Sequence, residues 1–178
     1  MGSGIVGVDF QDFLVFDNGL PGLAFAVEPG ERGTMRRPPY HPQESIFKRG
    51  MGVDIIWVGL LMGLVSLFMG YWAWATGHHT WQTMVFTTLT LSQMGNALAI
   101  RSNRDPLWRI GLLSNRFMLG AVLLTFGLQL AVVYIPFFQD IFNTVSLPAS
   151  DLAISLVLST VVFWGVEAGK WARRRRAA

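Results

Sequence analysis

The chain has no cysteine in its 178 residues, which excludes a disulfide framework, a thiolate metal site and a cysteine nucleophile. Charge is also scarce. Charged residues make up 14%, against roughly 25% in an ordinary globular domain, while 52% of residues are hydrophobic and mean hydropathy is +0.42. Signatures of soluble chemistry are missing as well: there is no GxxxxGK[ST] phosphate loop, no GxSxG elbow and no HExxH. A pI near 9.8 suggests nucleic acid only where basic residues cover a soluble face; here they do not, and no nucleic-acid partner is expected. His78 and His79 are adjacent in a short turn and point apart, so they read as a wetted loop rather than a ligand pair.

What the chain does have is long apolar runs. Crossing a bilayer takes about 20 residues of helix. Four runs are expected to do so, at 53–76, 81–100, 115–135 and 151–168. The last is short, with Ser150 and Asp151 as its expected cap and Glu167 to Trp171 able to extend it. A fifth run, Phe10 to Val27, is broken by Asp12, Asp17, Asn18 and Gly19-Leu20-Pro21-Gly22. Only a half-helix facing protein or an ion pathway tolerates such a break. The fold class is therefore all-α: a polytopic membrane helix bundle of four full spans and a partial N-terminal one. Residues 1–9 read as a disordered leader rather than a secretory signal, 10–27 as the partial helix, 28–52 as a connector stiffened by Pro38, Pro39 and Pro42, and 53–178 as the bundle with its basic tail.

Charge placement sets the expected orientation. All fourteen Lys and Arg fall between Glu28 and Gly52, between Arg101 and Arg116, or from Lys170 onward. The gaps Thr76–Thr80 and Pro136–Asp151 contain none. Basic gaps are cytoplasmic as a rule, which places the 28–52 connector and the C-terminus in the cytoplasm. The arginines at 173–176 have two readings, a topology anchor and contact with anionic lipid.

Polar residues inside the runs carry the remaining information. Asp17 and Asn18, beside a break that frees backbone carbonyls, offer oxygen ligands to a cation. Gln93 and Asn96, three residues apart, share one side of a helix, either beside an ion path or bonded to another helix. Glu167 is expected to snorkel or to pair with Lys170. Gly59 and Gly63 form a small-xxx-small pair, repeated by Ser66 and Gly70, and admit close approach of another helix from this bundle or from outside it.

The segment Asn18-Gly19-Leu20-Pro21-Gly22-Leu23-Ala24-Phe25-Ala26-Val27-Glu28-Pro29 resembles the end of the sixth membrane helix of P-type cation-transporting ATPases. Met35-Arg36-Arg37-Pro38-Pro39 and Pro42-Gln43-Glu44-Ser45-Ile46-Phe47 resemble that family's connector to its seventh helix. Gln93-Met94-Gly95-Asn96-Ala97-Leu98 with Arg101-Ser102 resembles the end of the eighth, and Ser114-Asn115-Arg116 the start of the ninth. The likeness covers about residues 14 to 176 and is closest to the bacterial, calcium-pump-like branch. It implies that the four full runs are helices seven to ten, in a bacterial inner membrane.

In that family ATP phosphorylates the aspartate of a DKTGT motif; no DKTGT, TGES or GDGxND occurs here. The resemblance therefore implies a chain that is no enzyme on its own. ATP and Mg belong to other domains, and the partners are the remaining pump polypeptide or other membrane helices, the lipid bilayer and a transported cation. A disrupted pump gene and a separately encoded piece both fit this expectation. On the sixth helix the family's pattern is N-x-x-T-D-G-x-P. Here Leu14 takes the place of the asparagine, Asp17 that of the threonine and Asn18 that of the acidic ligand. Gln93 stands where animal calcium pumps can use a glutamate. The alternative from the residues alone is a small membrane protein acting as a helix-packing regulatory or scaffold subunit through Gly59 and Gly63.

Overall fold

Helix-forming apolar runs can reverse direction only where a residue releases the backbone, and the chain supplies such residues at each turn. A computed structural model describes residues 22–24, 26, 51–102 and 107–177. Six helices follow in order: α1 (Met51–Ala75), α2 (Trp81–Ala99), α3 (Leu107–Ile110), α4 (Arg116–Tyr134), α5 (Pro136–Phe142) and α6 (Ala149–Ala177), with a 3-10 turn at Leu112–Ser114 before α4. Residues 22–24 and 26 are also helical. No strand occurs among the described residues.

α1 ends in a Schellman turn. Gly77 takes a left-handed φ of +76°, the His78 N–H donates to Ala73 O at 2.9 Å and the Gly77 N–H to Trp74 O at 3.1 Å. α4 starts on Asn115, whose side-chain oxygen accepts from Met118 N at 2.9 Å. α5 begins on Pro136, where the missing N–H costs nothing, and ends at Asn143 with φ 51°. The chain from Asn143 to Pro148 is then laced to the helices. Thr144 Oγ1 donates to Val132 O at 2.6 Å, Tyr134 OH to Leu147 O at 2.9 Å, and Val145 N to Thr83 Oγ1 at 3.0 Å.

α2 lies at the centre, packed against α1, α4 and α6, while α1 also packs against α6. A cluster of Met69, Ala73, Met84, Val133 and Leu147 joins three of the long helices to the 143–148 segment. Where the helices approach most closely, one side supplies glycine. A Cβ on Gly70 would meet Val85 Cγ2 at 2.9 Å, one on Gly165 would collide with Leu61, and one on Gly95 would lie 3.5 Å from Phe163 Cβ. These contacts fix the helix directions. α1 runs antiparallel to both α2 and α6, and α2 and α6 run parallel, with Thr80 beside Asp151 at one end.

Three helices are long and apolar enough to cross a membrane, at Gly52–Ala75, Arg116–Tyr134 and Ala149–Arg175. The remaining expected run is also a long helix, α2. α2 has the length, at 19 residues, but not the composition. Its five hydroxyl residues, Thr83, Thr87, Thr88, Thr90 and Ser92, lower its hydropathy, and all five are buried against neighbouring helices. A helix sheltered by protein need not be apolar all round. α1 is its opposite: Ile55, Ile56, Leu60, Leu64, Leu67, Phe68 and Trp74 all stand exposed, as lipid-facing residues do. α6 continues to Ala177 rather than stopping at 168, and α5 occupies part of a gap read as loop.

Candidate functional site: the polar flank of the central helix

Each neighbour of α2 marks one direction around it. Val85 faces α1 through Gly70, Gly95 faces α6 through Phe163, and Thr87 faces α4, where Gln129 Nε2 donates to Thr87 Oγ1 at 3.1 Å. At about 100° per residue, Gln93 falls about 80° round the helix from Val85 and about 120° from Thr87. That is the flank between α1 and α4, and there Gln93 is half-buried. Asn96 falls about 20° from Val85, toward α1. The two residues thus sit about 60° apart, on adjoining rather than identical aspects of α2.

The same helix presents a row of buried oxygens. Thr88, Ser92 and Asn96 follow at four-residue spacing, and Thr88 Oγ1, Ser92 Oγ and Asn96 Oδ1 have no hydrogen-bond partner among the described residues. Ser66 Oγ on α1, Thr125 Oγ1 and Gln129 Oε1 on α4, and Glu167 Oε2 on α6 share that condition. Buried polar atoms are nearly always partnered, so these acceptors are available to a polar group or water. The sequence shows the hydroxyls but does not reveal which of them turn inward together.

Of the remaining candidates, Asp17 and Asn18 lie outside the described residues. The segment just after them is placed, however: Asn115 Nδ2 donates to Ala24 O at 3.1 Å. Asn115 therefore joins the start of α4 to the helical turn following the Gly-Leu-Pro-Gly break, a role that its capping position alone did not disclose. A Cβ added at Gly59 or Gly63 meets nothing within 4 Å, whereas Ser66 is buried and Gly70 is pressed on Val85. One small-residue pair is consumed inside the bundle, and the other faces outward.

Ionic contacts close both ends of the bundle. At one, Asp151 is buried; its Oδ2 accepts from Thr80 Oγ1 at 2.8 Å and lies 3.3 Å from His78 Nδ1, while its Oδ1 accepts from Ser150 Oγ at 3.1 Å. Asp151, expected as a cap of α6, instead holds the α1–α2 turn to the start of that helix. At the other end Lys170 Nζ donates to Glu167 Oε1 at 2.7 Å with both side chains enclosed; the pair forms but does not snorkel. Arg173 bonds Asp54 of α1, and Arg101 bonds Gly111 O at 3.2 Å and Ser114 Oγ at 2.6 Å. Every described Lys and Arg lies at this second end. No group of three or more His, Asp or Glu suited to a metal occurs among the described residues.

Residues 14–172 match the family model described as cation transporting ATPase, C-terminus. The chain belongs to the cation-transporting ATPase C-terminal family. Among its curated relatives are the calcium-transporting ATPase of Bacillus subtilis (strain 168), 30% identical over 81% of this chain and 16% of that protein, and calcium-transporting ATPase 1 of Saccharomyces cerevisiae, 32% identical over 89% and 17%. The human calcium-transporting ATPase type 2C member 1 is 33% identical over 89% of the chain and 18% of its own length. The chain thus spans about one-sixth of the length of the curated relatives it matches. Within this cation-transporting ATPase family member, the Gln93–Asn96 segment, the Ser114–Arg116 turn and the helical turn at 22–24 all fall inside the matched region.

Proposed function

We propose that the chain serves as the C-terminal membrane bundle of a P-type calcium-transporting ATPase and contributes to cation translocation only together with a catalytic part. The observation that carries this reading is the family match over residues 14–172, taken with helices that follow one another as membrane spans with all described cations at one end. On this reading ATP and Mg act on polypeptide outside this stretch, and the membrane is a bacterial inner membrane with the basic end of α6 in the cytoplasm. Asp17, Asn18 and Gln93 are the proposed cation-path oxygens, and calcium is the proposed cargo because it is the ion named for the relatives. Gln93 suits the role in that it is half-buried on the one flank of α2 that none of α1, α4 and α6 covers. The open Gly59–Gly63 face is the proposed seat of another membrane helix.

The test is co-expression with a polypeptide carrying the phosphorylation domain and the preceding membrane helices. Capture of the two together, with calcium-dependent phosphoenzyme and vesicular calcium uptake exceeding that of either alone, is the expected result. Gly63→Leu should weaken capture by blocking close approach. A chain that purifies as a homo-oligomer with no companion, and adds nothing to uptake, would support the helix-packing subunit instead.

A further inference from the structure

α6 does not end where its apolar segment does. Beyond the buried Glu167–Lys170 pair it continues as regular helix to Ala177, so its last turns keep the same angular register as the span. In that register Val157, Val161, Trp164, Ala168, Trp171 and Arg175 fall within about 40° of one line. All six are exposed. The stripe is apolar for most of its length, carries two indoles toward one end and terminates in a cation.

The described arginines that follow Ala172 are not equivalent. Arg173 is held by Asp54 of α1. Arg175 places its guanidinium carbon 3.8 Å from the centroid of Trp171. Stacking occupies the face of a guanidinium and leaves its in-plane N–H donors free, the geometry that grips a phosphate with two parallel hydrogen bonds. Neither Arg174 nor Arg175 pairs with a carboxylate among the described residues. Exposed tryptophan favours the depth at which lipid headgroups lie. A bare topology anchor requires only positive charge; it does not require one arginine fixed to a neighbouring helix and another stacked on an indole at the foot of an apolar stripe.

We infer that the outer stripe of α6 is a binding site for an anionic phospholipid, with acyl chain along Val157, Val161 and Trp164 and headgroup phosphate held by Arg175 and Arg174 against Trp171. The occupant must carry both parts, because the apolar wall and the cations are continuous on one helix. The inference is independent of which pump, if any, the bundle completes.

The test uses the full chain in neutral detergent, with native mass spectrometry reading retained lipid during titration with phosphatidylglycerol or phosphatidylcholine. Phosphatidylglycerol is expected to be retained at least tenfold better. Each cation near a headgroup is worth about fivefold in retention. Arg175→Gln should therefore weaken phosphatidylglycerol about fivefold, and Arg174→Gln with Arg175→Gln about 25-fold. Trp171→Leu should weaken it without changing charge. Arg116→Gln, an exposed arginine at the same end on α4, should leave retention unchanged. Equal retention of the two lipids overturns the inference, as does an equal loss from Arg116→Gln, which would signal diffuse attraction. Displacement by inorganic phosphate at the lipid's own concentration also overturns it, since the site would then be one for free phosphate.

Discussion

Lys170 heads the fully buried side chains by volume, and its ammonium sits 2.7 Å from Glu167 Oε1 within one turn of α6. Two charges withdrawn from both water and headgroups are tolerable only as a pair. Replacing Lys170 by Met leaves an enclosed carboxylate with no counter-charge and should destabilise the bundle by about 3–5 kcal/mol. Glu167→Leu combined with Lys170→Met should be neutral, or stabilising by about 1–4 kcal/mol. Thermal unfolding in detergent reads both, and additive losses in the double variant would refute the pairing argument. The pair was legible in the sequence because the residues stand three apart on a helix. Its burial was not: an apolar run ending in arginines gives no sign that its lysine turns inward. Asp151 teaches a related lesson. An acidic residue at a helix start reads as a cap, and only the packing of the α1–α2 turn against it shows that its oxygens serve Thr80 and His78.

At the scale of elements, glycine decides where helices touch. Val85 is β-branched and stiff in a helix, so it cannot swing aside for a side chain at Gly70. Gly70→Leu should overpack the α1–α2 contact and cost about 1–3 kcal/mol. Gly63→Leu meets nothing and should leave the stability of the isolated chain within about 0.5 kcal/mol, while weakening association with a companion helix. Matching thermal unfolding curves for the two variants would show that the approach at Gly70 is not tight. Three of the four long helices were legible because composition alone marks a bilayer-length run, and α2 because its polar residues carry no charge. What sequence could not assign was which small-residue pair was spent internally, since Gly59–Gly63 and Ser66–Gly70 have the same spacing and differ only in what stands opposite. α5 was missed for another reason. Seven residues starting at proline carry too short a pattern to separate from a loop. The tail of α6 was missed because clustered arginines normally favour solvation over regular helix.

For the molecule as a whole, the basic end and the histidine-bearing end should lie on opposite sides of a membrane. The lack of any native cysteine makes this directly measurable. A single cysteine at His79 should react with a membrane-impermeant maleimide added outside intact cells. One at Ala172, also exposed, should react only after permeabilisation. Reversal of that pattern would invert the proposed orientation. The polar flank of α2 was half-legible at this scale: Gln93 and Asn96 were visible as intramembrane amides, but which neighbour each one faces required the positions of α1 and α4.

The buried hydroxyls of α2 also constrain how such a molecule comes into being. The helix least suited to dissolve in hydrocarbon is the one packed against three others, so its buried hydroxyls gain their full surroundings only after α6, the last of the three to be synthesised, has arrived. Until then α2 must be kept from lipid by the insertion machinery or by its hairpin partner α1. Assembly of the bundle is therefore completed late, because a chain that ends before residue 149 lacks one of the three helices against which α2 packs.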